Sequence, residues 1–297
     1  MKVSYVIPLY NKESYVIDCI NSILFETSID IEIEVCIVDD GSTDNSLTLV
    51  KEHFKDNNNV KIAEFKLNKG KNAACNRAFE MVSGEFVCLF GADDTVVPGR
   101  TKLLLDAALE HNKAVYGGLI AKDENMGEEL FRSLPNQPDL YSISLANSLS
   151  GGCVLFSINL CREIFPIPEH LKFEDWWIAY YLVKVNKVIV LNEYVTYYRI
   201  GSNNDCAFSP GEIFEGIKRD YSRHIDCLVE MSNISPNPYI KKSIDLRNAF
   251  LGKKVNKLIY FKPFDVFSLK IIFFKLFGAK IFYRMLNIVR KVRGKKS

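Results

Sequence analysis

Residues 34–46 read EVCIVDDGSTDNS. The run Val35-Cys36-Ile37-Val38 is apolar, short and rich in β-branched residues, which predicts a buried strand over 34–40. The strand ends in two carboxylates, Asp39 and Asp40. Gly41-Ser42-Thr43-Asp44 then supplies a turn and the N-cap chemistry for a helix from about 44. A buried strand that hands over to a helix within a few residues is the repeating unit of a parallel α/β sheet. Ligands in such sheets bind beyond the carboxyl ends of the strands.

The same alternation extends in both directions. VSYVI at 3–7 predicts a strand closed by Pro8, and apolar positions 16, 17, 20, 23 and 24 predict a helix within 13–27. Residues 60–66 predict a third strand, 71–82 a helix with Gly84 beyond its end, and 85–90 (EFVCLF) a fourth strand. A loop with Asp93 and Asp94 leads to a helix from Pro98 to about 111, then a strand over 114–120. Residues 121–150, rich in Asn, Ser and Pro, predict irregular chain. A strand over 152–157, a helix over 159–164 and a helix opening at Glu174-Asp175 follow, then strands at 187–191 and 194–199. The fold class expected is α/β with a mostly parallel central sheet. GSNNDCAFSPG at 201–211 reads as a loop, so the boundary between a domain 1–205 and a helical region 206–297 falls there.

Composition bounds the function. With 297 residues, 48% hydrophobic and 25% charged, the chain is ordinary for a globular protein, not for a disordered or fibrous one. The net charge of +2 predicts no field for nucleic acid. The eight cysteines are scattered without C-x-x-C spacing, which predicts reduced core thiols and a cytoplasmic chain. The N-terminus has no signal-peptide pattern, and no run of about 18 apolar residues predicts a membrane span.

Three strand ends carry distinctive residues: Pro8-Leu9-Tyr10-Asn11, Asp39-Asp40-Gly41-Ser42 and Gly91-Ala92-Asp93-Asp94. Carboxylates at neighbouring strand ends repel unless a cation lies between them, and Mg²⁺ or Mn²⁺ carrying a phosphorylated ligand would serve. Each motif also has a plain reading. Asp39-Asp40 alone fits a turn with an N-cap, Asp93-Asp94 a solvated loop, and Asp175 a first-turn acid on a helix dipole.

The ordered set narrows the choice. VIPLYN, VDDGSTDNS, NKGKNAACNRAFEMVSGEFVCLFGADD and FEDWW, in this order over about residues 3–204, resemble glycosyltransferase family 2 with its GT-A fold. The resemblance implies an inverting bacterial glycosyltransferase that takes a nucleotide-sugar, usually a UDP-sugar. It implies that Tyr10 lies against the base with Pro8 shaping the pocket, and that Asp40, with Asp39, bonds base or ribose. Asn68 to Asn76 would line the nucleotide and sugar pocket, Asp93 would hold the metal on the diphosphate, and Asp175 would be the general base.

Three departures from the family pattern stand out. Gly91 occupies the usual place of a first Asp, so Asp93 must share a cation with Asp94, water and phosphate. Cys75 stands where Arg often precedes Asn76, and Lys71 or Arg77 is the candidate replacement cation. No His follows Tyr198-Arg199, although Arg199 remains a candidate for the diphosphate or for a surface ion pair. Trp176-Trp177 offers a stacking face for an acceptor sugar, with one of the two expected in the core. Gly151-Gly152 fits a close approach to ligand or a simple turn. His53, His111, His170 and His224 are isolated, read as surface, and receive no role.

The implied chemistry is self-consistent. A sugar hydroxyl is a weak nucleophile and needs one carboxylate to take its proton. The leaving diphosphate gains charge that a divalent cation offsets. One base and one cation site suffice.

The C-terminal segment is different. No acidic residue follows Asp265, nine basic ones do, and residues 1–265 are left at −7. Residues 266–292 alternate apolar runs with Lys280, Arg284, Asn287 and Lys291 on one helical face. That pattern predicts peripheral contact with the cytosolic face of a membrane, or packing on a partner. The acceptor implied is a saccharide or lipid-linked saccharide of a surface polymer. The alternatives are a non-catalytic nucleotide-sugar or membrane-binding module and a sugar nucleotidyltransferase. The latter is disfavoured because PLYNKES replaces a Gly-rich loop after the first strand.

Overall fold

A computed structural model describes residues 1–201 and 213–251. The chain alternates β1 (Lys2–Leu9), α1 (Val16–Leu24), β2 (Glu32–Asp39), α2 (Ser46–His53), β3 (Val60–Glu64), α3 (Lys71–Phe79) and β4 (Phe86–Leu89). β5 (Thr95–Val96), α4 (Arg100–His111), β6 (Ala114–Asp123), β7 (Glu129–Ser133) and α5 (Leu140–Leu145) follow. After a 3-10 turn at Gly151–Cys153 come β8 (Val154–Ser157), α6 (Ile158–Ile164), α7 (Glu174–Lys184) and β9 (Val188–Ile200). The helices α8 (Ile213–Ile234) and α9 (Pro238–Phe250) complete the described chain.

The strands form one sheet in the order β3-β2-β1-β4-β8-β6-β9-β5, with β7 added to β6. The first four are mutually parallel, as their short helical crossovers require. β8 runs antiparallel between β4 and β6, and β9 returns parallel to β6. Period-two alternation divides the core. Val3, Tyr5, Ile7 and Leu9 of β1 face α1 and α4, whereas Val6 packs with α3 and α7. The result is a three-layer sandwich that presents the carboxyl ends of β1, β2, β3 and β4 along one edge.

At the opposite end of the sheet Glu34 is buried, directly across from Ser4 in the parallel register. It accepts hydrogen bonds from the Ser4 hydroxyl (2.5 Å), the Ser83 hydroxyl (2.6 Å) and the Gly84 N–H (3.2 Å), and pairs with Lys2 and Lys61. These partners join the starts of β1, β2, β3 and β4.

Several expectations need adjustment. The irregular stretch 121–150 contains the end of β6, the hairpin strand β7 and the short helix α5. The two strands expected over 187–199 are one, β9, paired with β6 through register shifts around Gly118. The boundary expected at 205 and the basic tail 266–297 lie outside the described residues. Seven cysteines are free and buried, as core thiols should be, and Cys206 lies outside the description. Among the described residues no helix is long and apolar enough to cross a membrane.

Candidate active site

The loops beyond β1, β2 and β3 are interlocked. Asn11 adopts a left-handed φ of 51°, and its side-chain oxygen accepts from the Thr43 N–H at 2.8 Å. The Ser42 hydroxyl accepts from the Asn11 N–H, and the Ser46 hydroxyl from the Lys12 N–H. Gly41 (φ 71°) presses on the Leu67-Asn68 backbone, where an added Cβ would lie 2.7 Å from the Asn68 nitrogen. Only glycine meets both demands.

This frame separates the two acids of β2. Asp40 is buried and spends both oxygens on the next loop, accepting from the Lys69 N–H (2.7 Å) and the Gly70 N–H (2.9 Å). Asp39 is equally buried, and its Oδ2 accepts from the Ser42 N–H at 3.0 Å. Its Oδ1 has no hydrogen-bond partner. A buried carboxylate oxygen is costly to leave unmatched, so Asp39 is the acid free to receive a ligand's N–H or O–H. Tyr10, 43% exposed, presents its ring near the same strand ends.

Beyond β4, Asp93 and Asp94 converge over Gly91. A Cβ on Gly91 would lie 3.1 Å from Asp93 Oδ1 and 3.0 Å from Asp94 Oδ2. Two carboxylate oxygens facing the gap left by a missing side chain suit Mg²⁺ or Mn²⁺, which takes one or two carboxylates and fills its shell with phosphate and water. No cluster of three His, Cys, Asp or Glu side chains that could hold a metal exists among the described residues, so Asp93 and Asp94 would have to share a cation with water and phosphate. Lys12 Nζ lies 2.6 Å from Asp93 Oδ2. Asp94 is buried, its Oδ1 accepts the Arg199 N–H at 2.9 Å, and burial beside the Asp93 charge pushes its pKa well up.

Arg199 fastens this loop. Its Nε donates to the Asp93 carbonyl (2.8 Å), Nη1 donates to the Glu124 carbonyl, and the guanidinium stacks 4.4 Å from the Tyr15 ring centroid. The candidate diphosphate ligand Arg199 is thus held against the loop that carries Asp93 and Asp94. The Asn76 side chain exchanges two hydrogen bonds with the Ile167 backbone, at 2.8 and 2.9 Å. It secures the loop that leads to α7.

Asp175 is the second residue of α7 and remains partly exposed. Burial, then the neighbouring Glu174 charge, raises its pKa to about 7. Lys71, the Trp176 N–H (2.8 Å to Oδ1) and the Asn147 side chain act in the opposite direction. Lys71, at the start of α3, forms an ion pair with Glu174. Its charge also reaches Asp94.

The consecutive glycines 151 and 152 bring the separate acids together. A Cβ on Gly151 would meet the Asp175 Cβ at 3.2 Å, and one on Gly152 would come 3.7 Å from Asp94 Oδ2. Their Cα atoms are about 3.8 Å apart, so Asp94 and Asp175 border one dipeptide. Arg100, buried beneath, donates to the Gly152 carbonyl (2.7 Å) and the Thr196 hydroxyl (2.6 Å). Sequence reasoning overlooked Lys12, Arg100 and Tyr116, a buried phenol on β6 that feels the Asp175 charge. Only Lys12 left a signal, as a cation one step beyond the PLYN motif.

Both tryptophans after Asp175 are core residues. Trp176 is 2% and Trp177 6% exposed, and the Trp176 indole donates to the Ile143 carbonyl at 2.6 Å. Neither offers the stacking face expected. His224 is not a surface residue either. Its ring lies 4.4 Å from Phe173 and 5.2 Å from Trp176, and burial beside Arg247 lowers its pKa to about 3. Cys227 contacts the Phe173 carbonyl, and Arg247 Nη2 donates to the Leu145 carbonyl at 2.9 Å. The α8–α9 pair thus braces the start of α7.

Comparison with known proteins bears on the family and the fold. A family model for glycosyl transferase family 2 matches residues 4–160. The poly(ribitol-phosphate) beta-glucosyltransferase of Bacillus spizizenii is 28% identical over 231 residues, covering 74% of this chain and 36% of that protein. An uncharacterized glycosyltransferase of Nostoc sp. is 31% identical over 225 residues, covering 69% of this chain and 66% of that protein. The chain spans about a third of the length of the first of these relatives. Among solved structures, Staphylococcus aureus TarS 1-349 in complex with UDP-GlcNAc superposes with a TM-score of 0.58 at 23% identity, covering 84% of this chain and 71% of that one. A mannosyltransferase of Pyrobaculum calidifontis in complex with GDP-Man and Mn²⁺ superposes with a TM-score of 0.58 at 15% identity, covering 98% and 79%. The sheet order, the strand-end motifs and the family match lead to one conclusion: this chain belongs to glycosyltransferase family 2 and has the GT-A fold.

Proposed function

We propose that the chain transfers a sugar, with inversion, from a nucleotide-sugar to a saccharide or lipid-linked saccharide acceptor of a bacterial surface polymer. The observation that carries the proposal is the Gly151-Gly152 dipeptide, which sets Asp94 of the candidate diphosphate site beside Asp175 of the candidate acceptor site. The donor reading draws on the unmatched Asp39 Oδ1, an acceptor suited to a ring N–H of a base, with the exposed Tyr10 ring as the stacking surface. A UDP-sugar is the donor favoured, in line with the UDP-GlcNAc bound by TarS.

Asp93 and Asp94 would hold Mg²⁺ or Mn²⁺, which offsets charge on the departing diphosphate when bound. The chain's own residues do the rest. Asp175 accepts the proton of the acceptor hydroxyl as its oxygen attacks the anomeric carbon opposite the diphosphate. One displacement forms the new C–O bond and breaks the bond to phosphate, inverting the centre. A pKa near neutrality suits Asp175 to this task. Lys71 pairs with Glu174 and keeps a cation close to Asp94 and Asp175.

The acceptor class is supported by relatives named for poly(ribitol-phosphate) transfer. Work at the cytosolic membrane face is supported by the apolar, basic segment 266–297. A panel of nucleotide-sugars and saccharide acceptors, read by product mass and nucleoside diphosphate release, tests the proposal. Asp175→Asn is expected to abolish transfer, by about a thousandfold or more, while leaving nucleotide affinity unchanged. Full transfer by that variant would overturn the base assignment.

A further inference from the structure

The Lys12–Asp93 ion pair sits inside the candidate diphosphate site, and no family motif quoted above includes Lys12. Nζ and Oδ2 are 2.6 Å apart, with side chains 18% and 19% exposed. The lysine is anchored. Its N–H donates to the Ser46 hydroxyl at 2.7 Å, and its carbonyl accepts from the Tyr15 and Val16 N–H groups at 2.9 and 3.0 Å. The preceding Asn11 is fixed by Ser42 and Thr43.

The charge around Gly91 follows from these contacts. With glycine at 91 the cluster has two carboxylates, and one already faces an ammonium. A divalent cation arriving alone must compete with Lys12 for Asp93. An ammonium has three N–H donors, and one goes to Asp93. A diphosphate held at Asp93 and Asp94 could receive the others.

We propose that Lys12 binds the diphosphate of the donor and, when no donor is present, competes with the divalent cation for Asp93. The proposal rests on the nucleotide-sugar reading above. Lys12 replaces part of the positive charge that a complete carboxylate set would recruit as metal. The chain therefore binds a nucleoside diphosphate appreciably without divalent cation and binds the cation weakly without nucleotide.

Calorimetry on the full chain tests this with Mn²⁺ alone, and with UDP and GDP in EDTA, for wild type, Lys12→Met and Lys12→Arg. In Lys12→Met, Mn²⁺ alone should bind about tenfold more tightly, and UDP or GDP in EDTA about tenfold more weakly. Lys12→Arg keeps the charge and should retain nucleotide binding in EDTA. A merely structural lysine would weaken both ligands together. Changes in the same direction, or none, in Lys12→Met overturn the proposal. Failure of wild type to bind either nucleotide, with or without Mn²⁺, removes the donor reading itself and the proposal with it.

Discussion

Lys71, the first residue of α3, is ion-paired with Glu174, the residue immediately before Asp175. The pair ties the β3–α3 connection to the start of α7 and places a cation where two adjacent carboxylates would otherwise repel.

Removing that cation should shift the pH dependence of transfer. Asp175 must be deprotonated to act as base, so the rate rises with pH through its pKa of about 7. Lys71 lowers that pKa, and without it the Glu174 charge raises it further. Lys71→Met should move the rising limb of kcat/KM toward higher pH by about one unit, with activity at pH 6 reduced about tenfold. An unchanged limb would mean that Asp175 does not titrate in the reaction.

The two acids of β2 should behave differently. Asp39→Asn keeps an oxygen for the Ser42 N–H and removes the carboxylate acceptor at Oδ1. UDP affinity should fall about tenfold with little change in Tm. Asp40→Ala frees the Lys69 and Gly70 N–H groups and should lower stability by about 1–3 kcal/mol, as seen by chemical denaturation.

Gly91→Asp should restore a third carboxylate. The new Cβ would lie 3.1 and 3.0 Å from the Asp93 and Asp94 side-chain oxygens, so both carboxylates must shift by a few tenths of an ångström to admit it. Mn²⁺ binding without nucleotide should tighten by about tenfold, and nucleotide binding in EDTA should weaken because like charges crowd the diphosphate. Titration calorimetry reads both.

Glu34 should govern acid stability. Burial alone would raise its pKa, but hydrogen bonds from Ser4 and Ser83 and the Lys61 pair outweigh it and lower the value to about 2. Its depressed pKa adds stability above the usual carboxylate value of 4.5, and that stability is lost as pH falls toward 2. Glu34→Gln should cost about 2–3 kcal/mol at pH 7 and flatten the loss of stability below pH 4.5. Thermal melts across pH 2–7 check the sign.

Most of the sheet was legible in the sequence because buried strands and their crossovers carry strong apolar runs. VSYVI, EVCIV and EFVCLF announced β1, β2 and β4. β7 escaped notice because all five of its residues are exposed and show no alternation. β5 has two residues, and α5 has six, too few for a period. In the site, residue types and order were visible but hydrogen-bond partners were not. Asp40, Asn76 and Arg199 carry functional chemistry in their side chains, yet their bonds go to backbone groups about 30, 90 and 75–106 positions away. Nothing local distinguishes Asp39, whose oxygen remains available, from its neighbour.

The packing of α8 and α9 on α7 sets a practical limit on how the enzyme can be shortened. Cys227, Leu228, Met231 and Ile240 share one apolar core with Val6, Val87 and Trp176. A polypeptide stopped at residue 205 would retain every strand-end motif yet open Phe173, Trp176 and the Leu145 carbonyl to water. The bracing of α7 therefore reaches Arg247, although the family-model match finishes at residue 160 and the quoted motifs at 177.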